Sequence, residues 1–113
     1  MIKDQFPDSM VLKMDQEVQY SDHSIVSRQV IKDSGGNVSL FAFDAGQELS
    51  EHTAPFDALI QVIDGSAEII IAGKGYSLAK GEGIIMPAAI PHAVKAKERF
   101  KMLLTMIRRP DQT

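Results

Sequence analysis

Three side chains in this sequence have an ordinary pKa close to neutrality, the histidines His23, His52 and His92. An imidazole can serve as a general base, ligate a metal through either ring nitrogen, or hydrogen-bond a bound molecule. There is no cysteine, which excludes thiol nucleophiles, Cys-based zinc sites and disulfide frameworks together. No Ser–His–Asp arrangement, phosphate loop or dinucleotide fingerprint accompanies the histidines, and Gly73-Lys74-Gly75 reads simply as a turn. The carboxylates nearest His52 in the chain are Glu48, Glu51 and Asp57. The chemistry on offer is that of imidazole, with or without one of these partners.

The elements that must position the histidines read as short strands. Ser24–Lys32 is a run rich in β-branched residues, closed by Asp33-Ser34-Gly35-Gly36, and Asn37–Asp44 follows it. Gln47–His52 ends on the first site histidine, and Pro55 bends the chain after it. Ala58–Ile63 and Ala67–Ile71 flank Asp64-Gly65, a dipeptide expected to turn a hairpin. Tyr76–Leu78, Ile84–Met86, His92–Ala96 and Phe100–Arg108 complete about nine short strands with no crossover helix. Residues 10–20 fit a turn of helix or an alternating strand equally well. The pattern predicts an all-β, antiparallel fold, a sandwich or barrel.

Strand parity aims the side chains. Residues i and i+2 share a face, so His92, Val94 and Ala96 are expected to point inward together with Phe100 and Met102. Lys95, Lys97, Arg99 and Lys101 then face water as a solvated basic stripe. Met102, Leu104 and Met106 alternate and suit either plain core, the readier reading, or an adaptable apolar pocket. Glu48 has the parity of His52, whereas Glu51 and Asp57 have the opposite one.

The 113 residues, 44% hydrophobic and 24% charged, suit one globular domain spanning 1–113, its core at about 24–108 and its ends, 1–9 and 109–113, frayed. A net charge of −3 offers no basic surplus for nucleic acid. No apolar run is long enough for a membrane span, and the N-terminus lacks a signal-peptide pattern, so a cytoplasmic protein is expected. Several strands are apolar on both faces: Ala58, Ile60 and Val62 on one, Leu59 and Ile63 on the other. A barrel buries one face, so the second must be covered by another layer or another copy, and a homodimer is expected.

Two segments carry a resemblance. Gly46–Gly65 and Gly81–Ala96 are similar, in order and separation, to the two motifs of the cupin family, with Gly46, His52, Gly65, Gly81, Pro87 and His92 on motif positions. The resemblance implies a jelly-roll barrel, the double-stranded β-helix of that family. It also implies a metal site of three histidines and a glutamate, but here Ala54 stands at the second histidine position and Ala58 at the glutamate position. Ala89 replaces a motif glycine, and Ala96 replaces a motif asparagine. Only His52 and His92 remain of the four ligands. Two imidazoles fall short of the three protein ligands of a catalytic zinc site and of a non-haem iron triad.

Three functions follow as expectations. One is a barrel that binds a small organic ligand in an apolar cavity around His52 and His92, walled by Ala54, Ala58, Ile60, Met86 and Met102, the imidazoles donating hydrogen bonds to a carboxylate or carbonyl. Another is an enzyme of dioxygenase, decarboxylase or isomerase type. It would use a divalent ion (zinc, nickel, manganese or iron) on the two histidines, or one imidazole as a metal-free base. The last is a structural or regulatory homodimer without a small ligand.

Overall fold

The computed structural model describes residues 6–108. Eight strands follow one short 3₁₀ turn, Met14–Gln16: β1 (Ile25–Asp33), β2 (Gly36–Phe43), β3 (Glu48–His52), β4 (Phe56–Ile71), β5 (Lys74–Ala79), β6 (Gly83–Met86), β7 (His92–Lys95) and β8 (Phe100–Arg108). All pairings are antiparallel. β1, β2, β8, β4 and β6 form one layer, and β3, β7, β4 and β5 the other, giving the jelly-roll barrel expected from the motifs. No helix among the described residues is long and apolar enough to cross a membrane.

Asp64-Gly65 does not turn a hairpin, which is why eight strands form where nine were expected. β4 runs straight through it, paired with β6 and β8 before it and with β5 and β7 after it. A bulge between Val62 and Asp64 bends the strand from one layer to the other. The bulge also reverses parity: Ala58, Ile60 and Val62 are buried before it, Ala67 and Ile69 after it. Gly65 is required here, with φ +71° and Phe100 so close that a Cβ would overlap the Arg99 carbonyl oxygen. The long-range pairing to β8 outweighs the local turn preference of Asp-Gly.

The inner faces of both layers share one core. Phe43 and Phe100 stack with centroids 4.5 Å apart, and Ile60, Ile69, Val94 and Met102 pack around them. A second cluster lies outside the first layer. There Val18 is fully buried with Val30, Leu40 and Ala42, and Phe6, Leu12, Met14, Tyr20, Ile63 and Leu103 pack against them. Burying a side chain such as Val18 contributes roughly 1.5–3 kcal/mol. The N-terminal segment is thus the layer that covers part of the second apolar face. Phe6 donates its N–H to the Val30 carbonyl, which ties the start of the described segment to β1; residues 1–5 and 109–113 lie outside the described region.

This covering layer also corrects the position of Lys101. It is 7% exposed, not solvated. Its Nζ donates to the Asp15 carbonyl at 2.6 Å and lies 4.9 Å from the Tyr20 ring centroid. Tyr20 in turn donates its hydroxyl to Asp64 at the bulge, at 2.5 Å. Burial and that carboxylate raise the Tyr20 pKa, so the hydroxyl stays protonated and donating. Beyond this cover, Leu59, Ile85, Ile107 and Ile31 remain exposed. Leu59 and Ile85 sit directly opposite each other, beside Thr105 of β8.

Candidate functional site

The candidate site lies at the end of the barrel where β4 begins. Across the first layer one row reads Met86–Ala58–Met106, with Ala58 between two methionines on neighbouring strands. Across the second layer another row reads His52–His92–Ile71. The connection between β6 and β7 folds over this end. Ala89 N–H donates to the Ala54 carbonyl at 2.8 Å, and Ala72 N–H to the Pro91 carbonyl at 2.9 Å. Ala89 holds φ +66° to make that bridge, a left-handed conformation that costs a residue with a Cβ about 1–2 kcal/mol.

These rows enclose a cavity of about 60 Å³. The structure places all seven residues singled out in the sequence, His52, Ala54, Ala58, Ile60, Met86, His92 and Met102, on its wall. Leu49, Val94, Leu104 and Met106 complete it. Leu104 and Met106 were open between core and pocket in the alternation of β8; the register with β4 assigns them to the pocket. Leu49 was not foreseen, because it has the parity opposite to His52. A register shift between Leu49 and His52 brings both to the same face.

That shift also decides the fate of Glu48. It is exposed and sits opposite Lys95, outside the cavity, although its parity matches His52. Asp57 turns to the outer face and accepts the Ala88 N–H at 2.9 Å. His23 is exposed, its own N–H bonded to Asp44, and Glu51 is exposed too. Phe56 lies beneath the Arg108 guanidinium, 5.5 Å from its ring centroid. No carboxylate lines the cavity.

The two rings stand edge to face, with centroids 4.4 Å apart. His92 is 5% exposed, whereas His52 is open at the rim. Each ring is fixed by a carbonyl two residues before it. Nδ1 of His52 donates to the Ser50 oxygen at 2.8 Å and Nδ1 of His92 to the Ile90 oxygen at 3.1 Å. A carbonyl only accepts, so Nδ1 carries the proton in both rings. In the neutral form Nε2 is therefore a lone pair, an acceptor rather than a donor. This reverses the expectation that the imidazoles donate to a carboxylate. Burial, reinforced by the neighbouring His52, lowers the His92 pKa despite the bond to Ile90, which favours this neutral form.

An Nδ1–H held by a backbone carbonyl is also how ligating histidines are commonly oriented toward a metal. The divalent ions expected from the motif nonetheless do not fit. Among the described residues no three His, Cys, Asp or Glu side chains come together, and two neutral imidazoles supply neither the ligand number nor the negative charge.

Comparison with known proteins places this architecture. The cupin domain model matches residues 39–107. A conserved protein of unknown function from Streptococcus pyogenes is 36% identical, with a TM-score of 0.88 over 94% of this chain and 93% of the other. A cupin 2 conserved barrel domain protein from Leptotrichia buccalis is also 36% identical, with a TM-score of 0.84. That match covers 86% of this chain but 47% of the other. A cupin superfamily protein from Desulfitobacterium hafniense is 25% identical, with a TM-score of 0.85 over 91% and 94% of the two chains. Among curated proteins there is no comparable match. The fold, the two motif segments and these relatives agree: the chain belongs to the cupin family.

Proposed function

We propose that this cupin binds a small, uncharged organic ligand, an apolar body with a hydroxyl or N–H donor, in the cavity around His52 and His92. One observation carries the reading. Both Nδ1 atoms are engaged by backbone carbonyls, so the cavity offers two Nε2 acceptors in otherwise apolar walls. A carboxylate would meet two lone pairs and no positive charge. Small apolar pockets with a few convergent polar groups are the usual form of ligand sites, and the cavity volume limits the buried part of the ligand to a few heavy atoms.

Short branched alcohols and phenols, compared with carboxylates of the same shape, test this. Binding to the folded chain raises the melting temperature by mass action, worth about 2.7 kcal/mol at one hundred times Kd. Hydroxyl compounds are expected to stabilise the protein at pH 8, carboxylates are not, and His52→Ala removes the response. Equal or greater stabilisation by carboxylates would overturn the reading.

The outer strip Ile31, Leu59, Ile85 and Ile107 favours a second property, pairing with another copy of the chain. Its four residues are 36–64% exposed, and clustered apolar surface of this kind often marks an interaction site. Such a strip suits the dry centre of an isologous interface. Sedimentation at micromolar concentration is expected to show a dimer that Ile85→Lys converts to a monomer; a monomeric wild type contradicts it.

A further inference from the structure

We propose that the same cavity is a soft-metal site that takes a cuprous ion, through Nε2 of His52 and His92 and the thioethers of Met86 and Met106. The proposal rests on the cavity and tautomers used above and adds the methionines to them. Ala58 occupies the position from which the family motif would project a carboxylate, and its two cross-strand neighbours are Met86 and Met106. Directly opposed residues on paired strands lie about 4.5–5.5 Å apart, so the space left by the missing carboxylate is flanked on both sides by methionines, and both line the cavity. Three of the six methionines in the chain, Met86, Met102 and Met106, line this one cavity.

Ligand chemistry and charge select the ion. Thioether sulfur is a soft donor and favours Cu(I), while imidazole suits copper among other metals. Every candidate donor here is neutral, and the walls are apolar. An ion carrying two charges would bring both into a low-dielectric site with no compensating carboxylate, at a Born cost that grows with the square of the charge. A monovalent ion brings one. A closed-shell cuprous ion also imposes no geometry of its own, so donors on four strands, β3, β6, β7 and β8, can satisfy it. The plain alternative is that methionine fills an irregular core, and leucine fills it as well without ligating.

The test uses the full chain without a histidine tag, kept anaerobic, with Cu(I) titrated against the cuprous chelator bicinchoninate. The expected result is one copper per chain, sulfur in the copper shell by X-ray absorption, and zinc bound at least a hundredfold more weakly. Met86→Leu/Met106→Leu is expected to keep the melting temperature within a few degrees, lower the cuprous affinity at least tenfold and lose the sulfur signal. Copper left wholly on the chelator, or a double-leucine variant that binds as tightly as the wild type, overturns the proposal. The hydroxyl-ligand response separates the two readings. If it persists while copper binding fails, the copper site alone is wrong. If copper binds with sulfur while alcohols and phenols have no effect, the copper site stands and the organic-ligand reading falls.

Discussion

Phe43 and Phe100 close one end of the barrel with stacked rings, whereas the other end of β4 and β8 carries Ala58 between Met86 and Met106 and opens into the cavity. Both regions belong to the same apolar core. The difference is in what fills it. At the closed end rigid aromatics meet at a glycine, Gly65, and the backbones of β4 and β8 approach closely. At the open end a methyl group sits where a longer side chain would fit, and flexible thioethers surround it. Stability is concentrated where packing is complete, and binding capacity where it is not.

The largest expected effect lies at the closed end. Phe100→Ala removes a fully buried ring from the stack and is expected to cost about 3–5 kcal/mol in denaturant unfolding. A cost below about 1 kcal/mol would mean that this end is not the stable one.

Acid provides the next contrast. The His92 pKa lies below its ordinary 6.5, so in the window just under that value the unfolded chain binds a proton that the folded chain refuses. The stability this confers is complete above about pH 6.5 and is lost as pH falls through the folded value. Unfolding midpoints of the wild type should therefore decline below pH 6.5, and His92→Gln should flatten that decline; superimposable profiles would contradict it. Asp44 titrates in a separate, lower window. The Arg99 guanidinium and the His23 N–H hold its carboxyl at about 2 instead of 3.8, so its contribution is present above 3.8 and lost toward pH 2.

The smallest effect concerns the loop over the cavity. Ala89 sits at φ +66°, and glycine relieves about 1–2 kcal/mol of that strain while making the unfolded chain more flexible by about 0.4–1 kcal/mol. Ala89→Gly is thus expected to stabilise the protein by about 0.5–1 kcal/mol in the same denaturant assay. Destabilisation would show that the loop is not strained.

Much of this was legible in the sequence, for identifiable reasons. Glycines, prolines and alternation located the strands, and parity on β7 correctly turned His92, Val94 and Ala96 inward. The failures arose where long-range pairing overrode a local rule. Asp64-Gly65 has hairpin chemistry but stays within β4, because Lys101 and Phe100 of β8 pair with it and β5 takes over at Ser66. Glu48 has the parity of His52, yet the shift inside β3 separates them. Lys101 alternates with buried residues, yet the N-terminal segment covers it. The tautomers were invisible for another reason: they depend on where the Ser50 and Ile90 carbonyls point, a matter of backbone angles rather than residue type.

Those tautomers are the centre of the functional account, and nitrogen-15 NMR of the imidazole rings measures them directly. At pH 8 the account predicts that His52 and His92 both show a protonated Nδ1 and an unprotonated, pyridine-like Nε2. Protonation at Nε2 in either ring would contradict it, because the cavity would then present a donor where the organic-ligand and copper readings both require a lone pair.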